Sequence, residues 1–365
     1  MKDQQIEESL KKIIELYTRI EEELLQEIAS HFKIEEEFQN SDYWRVKKLE
    51  ELGQFNTKII DYISKYIKKA QKEIIEAFED IGINAIDIKR LEKAYKEGLI
   101  KLDPEVLKDN PIIKQILENT KKNMSSYLIQ MSNKIRERTR REYLDVIEKT
   151  YLKITMGTHS YQEAIRESIN ELGNRGINTL VYEDNGKIRR YDIESTIRRD
   201  LLTNARDMNH KLTEEVIKET KPEYLYLSEH LACREEHFDW QGTIIKADEL
   251  VEVTDYGSIT GLGGINCKHY FEPYFGDERG NELKTYNKDE CSIAYDLSQH
   301  QRYLERGIRK WKRKANMFKE MGDADTYDYC MDKSREWQQR NQTFIELINS
   351  TDYELKRDFI REYVK

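Results

Sequence analysis

Helix breakers are scarce in this chain where apolar residues recur at helical spacing, and that combination most constrains what it can fold into. Only 4 Pro and 16 Gly punctuate 365 residues, and most of the Gly lies after Gly173, so little in the first half would stop a helix. From Ile6 the apolar positions run Leu10, Ile13, Tyr17, Ile20, Leu24 and Ile28, which places one stripe along a helix with Glu and Lys opposite. A stripe of about three heptads suits a bundle helix and could also pair as a coiled coil. A second helical stretch carries Trp44, Leu49, Leu52, Ile59, Ile63, Ile67 and Ile74 and is expected to stop near Gly82. A third, after Pro111, runs through Ile116, Leu128, Met131, Ile135, Tyr143 and Ile147 towards Gly157, long enough for one helix of more than forty residues. Residues 1–157 therefore read as an elongated helical region, able to bind a partner.

The middle of the chain, residues 158–297, differs in kind. Ser160 and Glu163 have capping-box spacing, and Gly173 and Gly176 sit where the helix they open should end. Thr179–Tyr182 and Ile188–Tyr191 flank Asp184-Asn185-Gly186, where Asn-Gly supplies the positive φ angles of a tight hairpin turn. A helix resumes at Ser195 with Ile197, Leu201, Ala205, Met208, Leu212 and Val216 on one face and ends before Pro222; Tyr224–Leu227 then reads as a buried strand. Residues 298–365 return to helix, with a break at Gly322–Asp325. The expected fold is mainly α with a small α+β module: an elongated N-terminal helical region, a hairpin-plus-helix core and C-terminal helices.

Composition narrows the function classes. The chain is 38% hydrophobic and 36% charged with a net charge of −9, and its 23 Tyr supply core material that a disordered chain lacks. No run approaches eighteen apolar residues, so no membrane span is expected, and the N-terminus shows no secretory signal pattern. Four Cys, all at or beyond Cys233, do not make a disulfide framework.

Unusual chemistry is concentrated in residues 228–275, which hold three of seven His, two of four Cys, five Gly and Trp240. Cys233 and His237 are four apart; Cys267 and His269 are two apart. The two pairs could close a tetrahedral site of Cys233, His237, Cys267 and His269, for which a structural zinc is the fitting ion. The spacing is not a familiar zinc spacing, and the other reading is a hydrogen-bonded Cys/His core. A Cys233–Cys267 disulfide is a third reading, suited to an extracellular particle. A metal-dependent hydrolase or nuclease would recruit Glu235, Glu236 or Asp239 to an open metal position. No phosphate-cradling glycine motif is present.

These same residues resemble the phage minor capsid protein 2 family, related to the Mu F-like head-morphogenesis proteins. Arg234-Glu235-Glu236-His237-Phe238-Asp239-Trp240-Gln241-Gly242 looks like the family's R-x-x-H-x-x-W-Q-G stretch. Tyr256-Gly257, then Gly261 to His269, Phe271 and Pro273, looks like its Y-G…G-L-x-G-x-N-C-R-H-x-F-x-P stretch, with Lys268 where Arg is expected. Upstream, Asn174-Arg175-Gly176-Ile177, the hairpin and Arg198 are similar to N-R-G-I, Y-x-x-G and V-R-M elements, with Arg199 in place of the Met. Downstream, Gln301 to Lys310 is similar to a Q-R-x-L-E-R-x-I-R helix. The resemblance covers roughly residues 155 to 360, in order.

What the resemblance implies is a minor structural protein of a tailed phage or prophage virion rather than an enzyme. It would be made in the bacterial host cytoplasm and sit inside the head or at its portal vertex. There it would contact portal or capsid proteins, oligomerise within the virion, and act in head assembly, DNA packaging or ejection. Arg234, His237, Trp240, Gly242, Asn266, Cys267 and His269 would then form the core of the family module. Non-specific DNA contact has one candidate surface, the block Arg302, Arg306, Arg309, Lys310, Lys312, Arg313 and Lys314, interrupted by the single acid Glu305. The competing reading of that block is a solvated helix pairing with acidic neighbours.

Overall fold

A computed structural model describes residues 2–184, 186–276, 283 and 286–350. It is mainly helical with two small antiparallel sheets. In chain order the first helices are α1 (Lys2–Ser30), α2 (Ser41–Ala85), the short α3 (Ile88–Lys96) and α4 (Glu105–Asp109), and α5 (Pro111–Thr155). The α1 stripe from Leu10 to Ile28 is buried along its length, so its apolar face is covered inside the chain as in a bundle. The helix α2 continues past Gly82 to Ala85, because this glycine is a contact rather than a stop: a Cβ there would lie 2.2 Å from Leu117 Cδ2 of α5.

Next come α6 (Tyr161–Arg175), the hairpin β1 (Asn178–Asp184) and β2 (Lys187–Asp192), and α7 (Ile193–Thr220). The capping box opens α6: Glu163 N–H donates to Ser160 Oγ at 3.3 Å, and Ser160 N–H donates to Glu163 Oε2 at 2.9 Å. The β1–β2 turn includes Gly186 at φ +74°, while Asn185 lies outside the described residues. Then follow β3 (Tyr224–Leu227), β4 (Ile244–Lys246), α8 (Leu250–Thr254) and β5 (Phe271–Tyr274). The chain closes on α9 (Lys288–Met321) and α10 (Ala324–Asn349), separated at the expected break; residues 351–365 of the expected helical tail lie outside the described residues.

The chain divides into two compact units, one drawn from Met1–Ile13, Gln71–Tyr127 and Arg198–Gln299, the other from Ile14–Ala70, Leu128–Ile197 and His300–Lys365. The second unit has an aromatic core. Phe55 stacks on Tyr143 with ring centroids 4.3 Å apart, and Trp44 meets Tyr161 edge-on at 5.9 Å. Beside this core the α2 stripe departs from its sequence pattern, since Lys48 is 3% exposed and Leu49 faces solvent. The Lys48 ammonium is held by Glu36 at 2.8 Å and by the His31 carbonyl at 2.5 Å, which offsets its burial.

In the first unit, β3 is the centre of a three-stranded antiparallel sheet ordered β4-β3-β5. Leu225 pairs with Ile245 on one side and Pro273 on the other; Pro273 is tolerated because β5 is an edge strand. Behind this sheet Leu225, Leu227, Trp240, Leu262, Cys267 and Phe271 form one buried cluster.

Candidate functional site

The Cys/His segment folds entirely within the first unit, between and around the three short strands. After β3 the chain loops through a single 3-10 turn, Glu235–His237, which turns His237 inward and leaves Glu235 and Glu236 exposed. Gly242, at φ +65°, then redirects it into β4. Beyond α8 the loop 255–266 winds tightly enough that only glycine fits at Gly261, where a Cβ would lie 2.0 Å from the Asp255 carbonyl oxygen. Asn266, at φ +60°, makes the last turn, and Cys267 and His269 follow on the way into β5.

Folding brings His237, Trp240, Cys267 and His269 of the resemblance's module together, with Arg234 and Asn266 beside them. The Arg234 guanidinium donates to the Ile265 carbonyl next to Asn266. Trp240 packs against His237 and His269 with ring centroids at 4.6 and 4.8 Å. The two histidines face each other with Nδ1 atoms 3.1 Å apart, and Cys267 Sγ is 3.7 Å from His269 Nδ1. All three of these side chains are exposed by 3% or less. Of the four expected metal ligands, His237, Cys267 and His269 place their donor atoms within 4.8 Å of one another. Cys233 is not among them: its thiol neighbours Cys291 instead, and the four cysteines are all free thiols.

Several participants carry no signal in the spacing. Gln241 Oε1 accepts from the His230 amide and lies 3.2 Å from His269 Nε2, and its amide nitrogen donates to Cys291 Sγ at 3.4 Å. His210, from the middle of α7, donates from Nε2 to the His269 carbonyl at 3.1 Å. His230 stacks on His269 at 4.2 Å. Gln241 lies in the W-Q-G stretch but is not among the residues the resemblance singles out, and His210 is distant in sequence and carries no such signal.

Electrostatically the cluster is kept neutral by burial. Burial pushes the His230 imidazole down to about 3, helped by the positive Lys268. It also lowers His237 and holds His269 well below the ordinary imidazole range. Burial raises the Cys267 thiol, countered in part by the Gly263 and His269 amides that donate to its sulfur. A raised thiol beside weakly basic imidazoles is not an activated nucleophile. At the rim, Lys268 lies 3.5 Å from Asp3 and 3.6 Å from Glu7, and the buried Arg206 donates to Asp3 at 2.7 Å, so α1 carries the acidic partners of this module.

The basic block lies on α9 in the second unit. Arg309 pairs with Glu194 at 3.3 Å, and Arg313 donates to the Gly173 carbonyl at 3.0 Å and lies 3.6 Å from Glu21. Lys314 is buried with its ammonium 3.9 Å from the Trp311 ring centroid. Lys310 and Lys312 are half-buried, and Arg302 and Arg306 are exposed.

Comparison with known proteins places the chain in a family. The family model described as phage minor capsid protein 2 matches residues 1–346. A structural protein of Lactococcus phage LL-H is 24% identical over 344 residues, covering 87% of this chain and 88% of that relative. A structural protein of Lactococcus phage mv4 is 30% identical over 109 residues, which is 30% of this chain and 85% of that relative. No solved structure matches. With its family model matched from the first helix into α10, the chain belongs to the phage minor capsid protein 2 family.

Proposed function

We propose that this chain is a minor structural component of a tailed-phage virion, placed at the portal vertex of the head, where it binds portal or capsid subunits during head assembly and takes part in DNA packaging or ejection. The observation that carries the reading is the family match over residues 1–346, supported by two relatives that are themselves named structural proteins. The chemistry agrees with a role without turnover. The Cys/His trio is sealed from solvent, while Glu235, Glu236 and Asp239, the carboxylates a metallohydrolase would need there, are exposed and outside the trio. Arg309, Arg313 and Lys314 of the basic block serve partners within their own unit, so its first role is to hold that unit together.

Short-range cross-linking of purified particles, read by mass spectrometry, tests the placement. Links to portal subunits are expected to dominate; links confined to tail proteins would overturn the head assignment.

A further inference from the structure

Two bare nitrogen lone pairs face each other inside the first unit. His237 Nε2 lies 2.7 Å from the Thr260 carbonyl, which can only accept, so that nitrogen carries the ring proton. Gln241 Oε1 is fixed as an acceptor by the His230 amide, so His269 Nε2, 3.2 Å away, carries the proton of its ring. In the neutral rings both Nδ1 atoms are then acceptors, yet they stand 3.1 Å apart. Two acceptors at hydrogen-bond distance repel unless a cation lies between them. A shared proton would make one ring an imidazolium, which their burial opposes.

A third donor atom completes the picture. Cys267 Sγ is 3.7 Å from His269 Nδ1. For zinc with Zn–N bonds of ~2.05 Å and Zn–S of ~2.3 Å, tetrahedral angles place N···N at about 3.3 Å and N···S at about 3.6 Å. The observed spacings of 3.1 and 3.7 Å lie close to these values, and all three donor atoms fall within 4.8 Å of one another. The outer contacts are those a zinc site uses: each ligating imidazole donates its other N–H to an oxygen that sets its tautomer.

We propose that His237 Nδ1, Cys267 Sγ and His269 Nδ1 bind one zinc ion. Binding releases the Cys267 thiol proton to solvent and leaves the sulfur as thiolate, with no change of oxidation state. No fourth His, Cys, Asp or Glu among the described residues joins the trio, so water takes the remaining tetrahedral position. Burial of all three side chains withholds that position from a substrate. The ion therefore acts structurally, joining the 3-10 turn to the segment that leads into β5.

Elemental analysis of the full chain, purified without chelator, is expected to find about one zinc per chain, well above copper and iron. Chelated protein titrated with cobalt(II) alone should develop a thiolate charge-transfer band and tetrahedral d–d absorption, and zinc re-addition should raise its Tm. Cys267→Ser should lose the charge-transfer band, whereas Cys233→Ser should keep it. The proposal is overturned by wild-type protein that is metal-free, silent with cobalt and unchanged in Tm by zinc. Copper or iron at stoichiometry in place of zinc also overturns it, and so does Cys233→Ser losing the band as fully as Cys267→Ser.

Discussion

His269 and Gln241 are joined across the first unit by a 3.2 Å contact from Nε2 to Oε1, and the same oxygen accepts the His230 amide, so one carboxamide orients the loop after β3 and the approach to β5 together. Replacing it with leucine leaves two buried donors without an acceptor. Gln241→Leu is expected to cost about 1–3 kcal/mol in chemical denaturation. The exposed neighbours Glu235→Gln and Glu236→Gln are expected to stay within about 0.5 kcal/mol of the parent.

Glu21 makes the stability of the second unit pH-dependent. Its carboxyl is 4% exposed and is pushed up to about 8, first by burial and then by the nearby Asp192 charge. Arg313 and the Ile177 amide oppose the shift, while Glu194 adds to it. Because the folded state holds this proton more tightly than the unfolded chain, the contribution is fully present below the ordinary carboxylate range and is lost as pH rises through 8. Glu22, raised to about 7 chiefly by burial, acts in the same direction. Glu21→Gln is therefore expected to be near neutral at acidic pH and stabilising by about 1–3 kcal/mol in mildly alkaline solution. A stability difference that is flat with pH would contradict this.

Arg313 separates the two roles of the basic block. Its guanidinium binds the Gly173 carbonyl in the last turn of α6, so Arg313→Ala is expected to lower stability by about 1–3 kcal/mol. Any affinity of the full chain for duplex DNA should survive that change, because Arg313 is engaged by the Gly173 carbonyl while phosphate contact from this helix would fall to its exposed face, which carries Arg302 and Arg306. Salt-dependent binding measured on Arg313→Ala and on the Arg302→Ala/Arg306→Ala pair checks both halves.

Two glycines inside helices are predicted to respond oppositely to alanine. A Cβ on Gly307 of α9 would lie 2.0 Å from the Trp337 ring of α10, so overpacking outweighs the better helix propensity and Gly307→Ala should destabilise by about 1–2 kcal/mol. At the exposed Gly53 of α2 nothing lies within 4 Å of the added carbon, and Gly53→Ala should stabilise by about 0.5–1 kcal/mol. Thermal unfolding of the two variants side by side measures the contrast.

What was legible in the sequence was local. Ser160 and Glu163 cap each other across three residues, the hairpin closes at Gly186, and the stripe from Leu10 to Ile28 needs only its own periodicity. Properties set by distant partners were hidden. Lys48 replaces Leu49 on the buried side because Glu36 and the His31 carbonyl come from the segment before α2. Of the three-stranded sheet, only β3 was readable: β4 is three residues long and β5 contains a proline. In the site, His237, Cys267 and His269 were legible as a set, and the family resemblance added Trp240. Cys233 was grouped with them by spacing, but its neighbour Cys291 comes from the start of α9, beyond any local pattern.

Quantitative mass spectrometry of purified, DNA-filled particles decides whether this chain is a virion component. This chain is expected in the particle, at a copy number far below that of the major capsid subunit and unchanged by salt washing. Its absence from washed particles, with the protein left in the lysate, would contradict the assignment as a minor structural protein of the virion.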